Sequence, residues 1–177
     1  MTVPLDDDRW CYLETAYHQP CDELLAWLRS AYQGNLDRAL LSEIINEIQH
    51  QGDSSTSMYA VAPHLLDLAD ICDRELSQQL IIHSGLIYAA ATAPNAVPCP
   101  DSVARDFESS SKRGLEMASN LLLDRSDIAW FKYLLAAIAG FAGHGRLGRL
   151  LEGLEFETDG IWCSCLDEPI LDITDGG

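Results

Sequence analysis

Apolar side chains recur along this chain at the three-to-four-residue interval of buried helix faces, in six long stretches separated by turn residues. The first predicted helix runs from about Asp22 to Tyr32, with Leu24, Leu25, Trp27 and Leu28 apolar and Asp22 as its cap after Pro20. Gly34 and Asn35 stop it. The second, from about Leu36 to His50, sets Leu40, Leu41, Ile44, Ile45 and Ile48 on one stripe, with Glu43, Asn46 and Glu47 off it. A small polar loop containing Gly52 follows. A third helix from Ser57 turns Met58, Val61, Ala62, Leu65, Leu66, Ala69 and Cys72 inward and carries Pro63 about two turns in. An interior proline costs about 3 kcal/mol, so it points to a kink that packing favours.

After a turn at Asp73–Glu75, Leu76 to Ala93 reads as a helix apolar on most sides, hence central. Pro94, Pro98 and Pro100 end it in a loop. Asp101 then caps a helix reaching about Asp124, paired with another from Asp127 to Gly143. A short helix, about Arg146 to Gly153, closes the helical part. Residues 154–177 alternate irregularly and read as an extended tail or small hairpin, ordered where Trp162 and Ile170 to Ile173 dock. The predicted fold is all-α: three stacked helical hairpins, 1–153, with an acidic, irregular or β-like C-terminal tail, 154–177.

The hairpins start at 22, 57 and 101, which are 35 and 44 residues apart, the period of two-helix repeat arrays. The signatures of TPR and ankyrin repeats are absent. The turn His50-Gln51-Gly52 followed by Tyr-Ala-Val-Ala-Pro-His-Leu-Leu-Asp-Leu, residues 59–68, resembles short bacterial HEAT-like repeat proteins of poorly defined function. Residues 36 to 93 carry most of the resemblance, and Trp162, Cys163 and Cys165 match such a tail loosely. The first and third hairpins lack the proline, and the second helix lacks the usual arginine. The resemblance implies an α-solenoid scaffold and protein–protein recognition, with no particular reaction.

Charge narrows the partners. The chain has 28 acidic and 11 basic side chains, a formal net charge of −17. That field repels nucleic acid, phosphate substrates and anionic membranes, and favours a basic partner or a cation. Met1 to Trp10 lacks the basic start and apolar stretch of a signal peptide, and Ile128 to Gly143 is too short and too interrupted to span a bilayer. Six cysteines without a secretory signal indicate reduced thiols, so a cytoplasmic location is expected.

Candidate chemistry is thin. Cys163-Ser164-Cys165 has no second pair to complete a tetrahedral zinc site. His18, His50, His64, His83 and His144 show no metal-ligand spacing; His50 is expected to end the second helix, and His64 and His83 to be structural. The stretch 140–149, Gly-Phe-Ala-Gly-His-Gly-Arg-Leu-Gly-Arg, lacks both the P-loop and the dinucleotide-binding contexts and reads as a helix stop and turn. No catalytic residue, metal site or cofactor is assigned.

The tail from Glu152 onward holds eight carboxylates and no lysine or arginine. Acidic patches accelerate encounter with basic proteins. The sequence therefore predicts a non-enzymatic binding module, most concretely a bacterial immunity or inhibitor protein that neutralises a basic toxin. Its recognition residues are Glu152, Glu155, Glu157 and Asp159, with His50, Gln51 and Asp53 as a second group on the turn between hairpins. The alternatives are a metal-dependent enzyme or accessory using the scattered His and Cys residues, and a structural adaptor in a larger assembly.

Overall fold

The computed structural model describes residues 2–50, 53–123, 128–156, 160–163 and 169–172. The described chain is mostly helical. Seven α-helices are described: α1 (Asp22–Ser30), α2 (Arg38–Ile48), α3 (Met58–Ala69), α4 (Arg74–Ala90), α5 (Asp101–Leu123), α6 (Ile128–Phe141) and α7 (Gly145–Glu152). A 3-10 turn, Asp8–Tyr12, precedes them. Two short strands, β1 (Gln49–His50) and β2 (Asp53–Ser54), pair between α2 and α3. After α7 the chain forms an antiparallel three-stranded sheet, β3 (Leu154–Phe156), β4 (Gly160–Cys163) and β5 (Pro169–Asp172).

Local chemistry sets most boundaries. Asp37 and Asp73 cap α2 and α4 by accepting from the Leu40 and Leu76 amides at 2.8 and 3.0 Å. The α2 cap places the helix start two residues later than expected. Asp22 is not a cap: it is the first residue of α1, and Cys21, at the cap position, makes no side-chain bond to the helix amides. The first helix continues into a π-helical turn, Ala31–Asn35, where Gly34 has φ 87°, a conformation glycine adopts without strain. His50 does not end the second helix, because α2 stops at Ile48 and the chain straightens into β1. The buried Ser55 hydroxyl donates to the Ile48 carbonyl at 2.8 Å, satisfying one of the open carbonyls of that helix end.

The core centres on α3. Every side chain from Met58 to Leu66 is buried, so this helix is enclosed on all sides rather than along the one stripe expected. Only His64 and Asp67 interrupt its apolar sequence, and both have partners in the fold. The helix continues through Pro63. Its neighbours α4 and α5 pack against it, α4 also packs on α6 and α7, and α5 on α6.

The α4–α6–α7 contact is unusually close because small residues line it. Gly85 faces Ala137, Gly140 lies against the Gly85 carbonyl and the Ala89 amide, and Gly148 meets the Ala136 carbonyl and Ala89. A β-carbon at Gly140 would overlap the Gly85 carbonyl. The order of these contacts makes α4 and α6 run in the same direction. Arg149 finishes α4 from outside, donating to the Ala89 carbonyl at 2.7 Å and to the Thr92 hydroxyl at 2.8 Å.

The amino-terminal segment is fastened by polar contacts. His64 Nε2 lies 2.8 Å from the Val3 carbonyl, and Nδ1 lies 2.8 Å from the Tyr32 hydroxyl. A carbonyl only accepts, so Nε2 carries the proton and Nδ1 accepts from Tyr32. Arg9 donates to Asp106 and to the Ser102 carbonyl on α5, both at 3.0 Å.

Candidate functional site

The turn between α2 and α3 assembles part of the expected recognition edge. In the β1–β2 pairing His50 stands opposite Asp53. The His50 ring packs on Tyr17 with centroids 4.7 Å apart, and its Nδ1 lies 2.9 Å from the Tyr17 hydroxyl. Tyr17 belongs to a loop that docks on this turn: the Ala16 amide donates to the Glu47 carbonyl at 2.7 Å, and the Glu14 amide to the Thr56 hydroxyl at 2.8 Å. Next to it His18 adopts φ 56° with its side chain 87% exposed, 3.6 Å from the exposed Glu14 carboxylate. The edge therefore presents Glu14, Tyr17 and His18 beside His50. Glu14 and Tyr17 were not singled out from sequence, and His18 was weighed only as one of five scattered histidines, because only the folded contacts bring them to the turn. Gln51 lies outside the described residues.

The tail group is placed elsewhere. Glu152 is the last residue of α7, and Glu155 lies in β3. Glu157 and Asp159 lie outside the described residues, as do Ser164 and Cys165 of the Cys-Ser-Cys motif. The structure does not bring Glu152 to the His50 turn. Gln49 and Ser54 border a cleft with the 90–96 loop and Arg149, and Glu152 does not line it.

Glu152 instead stands at a cavity of about 410 Å³ bounded by α4, α6 and the end of α7. Ile82 and Leu86 of α4 and Trp130 and Tyr133 of α6 form its apolar walls. His83 and Gln79 supply polar atoms from α4. Among the described residues the His83 ring has no hydrogen-bond partner, and burial alone pushes its pKa below the ordinary value of 6.5, leaving the ring uncharged at neutral pH. Glu152 is exposed over much of its surface, yet the cavity wall desolvates its carboxyl and raises its pKa, with the charge of Lys132 opposing the rise. Lys132 does not line the cavity. Its ammonium donates to the Leu154 carbonyl, tying β3 to α6, and lies 4.7 Å from the centre of the Tyr133 ring.

Sequence reading placed His83 in a buried helix and Glu152 in an acidic tail, and had no means of joining them. Two signals were available: an imidazole inside an apolar helix, and a helix ending in a carboxylate.

The remaining histidines have no such setting. His64 is enclosed by its two hydrogen bonds, and His144 precedes α7 on an exposed turn. Among the described residues no group of three His, Cys, Asp or Glu side chains is arranged to hold a metal ion, and no helix is long and apolar enough to cross a membrane. No protein-family model matches this chain, and neither a curated protein nor a solved structure does.

Proposed function

We propose that the chain is a non-enzymatic protein-binding module whose acidic surface grips a basic protein, most concretely an immunity or inhibitor protein that neutralises a basic toxin. One observation carries this reading: six of the few basic side chains are already engaged by partners within the chain. Arg9 binds Asp7 and Asp106, Arg29 the Leu5 carbonyl, Arg38 Glu75, Arg113 Asp67 and Asp70, Lys132 the Leu154 carbonyl, and Arg149 the end of α4. Those six are drawn from only 11 basic residues against 28 acidic ones. Exposed Asp6, Asp8, Asp22, Glu23 and Glu43, by contrast, form no ion pair among the described residues. The outward field is therefore that of carboxylates, which steers a basic protein toward this surface and repels nucleic acid.

The proposed recognition residues are Glu152, Glu155, Glu157 and Asp159, with His50, Gln51 and Asp53 at the turn. We infer a HEAT-like arrangement of three stacked hairpins for the helical part, 1–153, with 154–177 as an appended acidic unit. The packing of α3 with α4 and of α5 with α6, together with the parallel course of α4 and α6, supports stacking of the second and third pairs.

The test is affinity capture from the source cell, followed by association kinetics across a salt series. A basic protein should be recovered, with association slowing steeply as salt rises, because charges are screened beyond about 8 Å at physiological ionic strength. The variant with Glu152, Glu155, Glu157 and Asp159 all changed to their amides should associate more slowly, with little change in dissociation. Capture of acidic proteins alone, or unchanged association of that variant, overturns the reading.

A further inference from the structure

We infer that the cavity between α5, the 91–99 loop and the end of α6 binds a small amphiphilic amine, its hydrocarbon chain in the cavity and its ammonium on the Glu108 carboxylate. This goes beyond the protein-binding reading and does not rest on it.

The cavity measures about 430 Å³, within the roughly 300–1,000 Å³ typical of small-molecule sites. Its floor is aromatic. Tyr88 stacks on Phe107 with centroids 4.0 Å apart, Tyr59 meets the same ring edge-on at 5.0 Å, and Phe141 tilts against Tyr88 at 5.1 Å. These rings pack on one another, so they present a hydrocarbon wall rather than a free face for stacking. Both phenols are committed: Tyr59 donates to the Val97 carbonyl at 2.5 Å, and Tyr88 donates to the Phe107 carbonyl. On the loop side Ala93, Ala96, Val97 and Pro98 add more apolar surface. An alkyl chain gains from such a lining in proportion to the area it withdraws from water. A sugar or a phosphate ester would leave its oxygens unpaired there.

Charge selects the head group. Glu108, at the rim on α5, is the only acidic or basic side chain among the described lining residues. It is exposed, and it forms no ion pair among the described residues. Arg105 and Lys112, its neighbours on α5, do not line the cavity. Cys99, in the cavity wall, has its pKa pushed up to about 11, by burial first and then by the charges of Glu108 and Asp101. Two carboxylates therefore act on this end of the cavity, in a protein of net charge −17. An ammonium is attracted there and an anion repelled.

The test uses the full chain at physiological salt and four probes. Hexylamine, 1-hexanol and hexanoate share one chain and differ in charge, and methylamine carries the charge without the chain. Binding is read at pH 8 as slower iodoacetamide alkylation of Cys99, with exposed Cys11 as the internal reference. Hexylamine should protect Cys99 and leave Cys11 unchanged. It should bind about threefold more tightly than hexanol, the scale of an exposed ion pair, with hexanoate weakest and methylamine giving no protection. Glu108→Gln, each series compared with the same variant free of probe, should bring hexylamine to the level of hexanol and leave hexanol unchanged. No protection of Cys99 by millimolar hexylamine overturns the inference. So does hexanoate binding as well as hexylamine, methylamine protecting equally, or an amine preference undiminished by Glu108→Gln. The wild-type series needs no variant, so its outcome stands whatever a substitution does to folding.

Discussion

His64 Nε2 donates to the Val3 carbonyl across 2.8 Å, and that single bond joins the central helix to a segment 61 residues earlier in the chain. The same ring accepts from Tyr32 and packs near Trp10, with centroids 5.9 Å apart. Its pKa lies below 6.5 because burial disfavours the charged ring, against the raising effects of the Val3 bond and the Asp67 charge. The unfolded chain thus takes up a proton at higher pH than the folded one. Stability contributed by neutral His64 is complete above about pH 6.5 and is lost as pH falls toward the folded pKa. Urea unfolding at pH 7.5, 6.5 and 5.5 should show falling stability. His64→Phe should cost roughly 1–3 kcal/mol at pH 7.5, since the Val3 carbonyl and Tyr32 hydroxyl lose their partner, and should weaken the acid dependence. An acid dependence identical to wild type would remove His64 from the account and leave it to His83, whose pKa is also lowered.

Gly140→Ala places a methyl against the Gly85 carbonyl, which is backbone and cannot swing aside. Helix α6 must shift from α4, at a cost of roughly 1–3 kcal/mol for overpacking. Thermal unfolding measures it, and a variant as stable as wild type would show that the α4–α6 contact is looser than described.

Gln78 is 1% exposed, and neither its amide nitrogen nor its oxygen has a hydrogen-bond partner among the described residues. An unsatisfied buried amide costs about 1–3 kcal/mol. Gln78→Met keeps the length of the side chain and removes the penalty, so the midpoint of urea unfolding should rise with the slope unchanged. A lower midpoint would mean that the amide is solvated inside the protein.

The described thiols should separate by accessibility. Cys11 is exposed, whereas Cys21 is 3% exposed, and burial together with Asp22, Glu47 and Glu14 pushes its pKa up to about 12. Only the thiolate reacts, so iodoacetamide at pH 8 should modify Cys11 long before Cys21. Peptide mass spectrometry over a time course reads the order. Comparable rates at the two positions in the folded protein contradict the burial of Cys21.

The helices were legible where the apolar stripe repeats at helical period, as in Leu41, Ile44 and Ile48 of α2. Boundaries slipped where a polar side chain decided them: Asp37 moves the start of α2, and the straightening at Gln49 moves its end. The enclosure of α3 was hidden because burial on its outer side comes from Val3, Trp10 and Tyr32, partners no local pattern connects to residue 64. The small-residue seam was equally silent, since Gly85 and Gly140 each read as a weak helix former until the two are placed in contact. At the candidate sites, His50 and Asp53 were visible as a turn. The cavity was not, because His83, Trp130 and Glu152 come from three separate segments and meet only through packing.

The fastening of the amino-terminal segment has a consequence for synthesis. Arg9 finds Asp106 and the Ser102 carbonyl only on α5, 97 and 93 residues further along the chain. At about 5–20 residues per second, a ribosome takes roughly 5–20 s to make the stretch between Arg9 and its partners. During that interval Arg9 has Asp7 as its partner, while Trp10 can already meet the Pro4 carbonyl and the His64 ring. The polar clasp on α5 is thus among the last contacts of this segment to close during synthesis, and a nascent chain halted before α5 would hold the segment through His64, without the clasp.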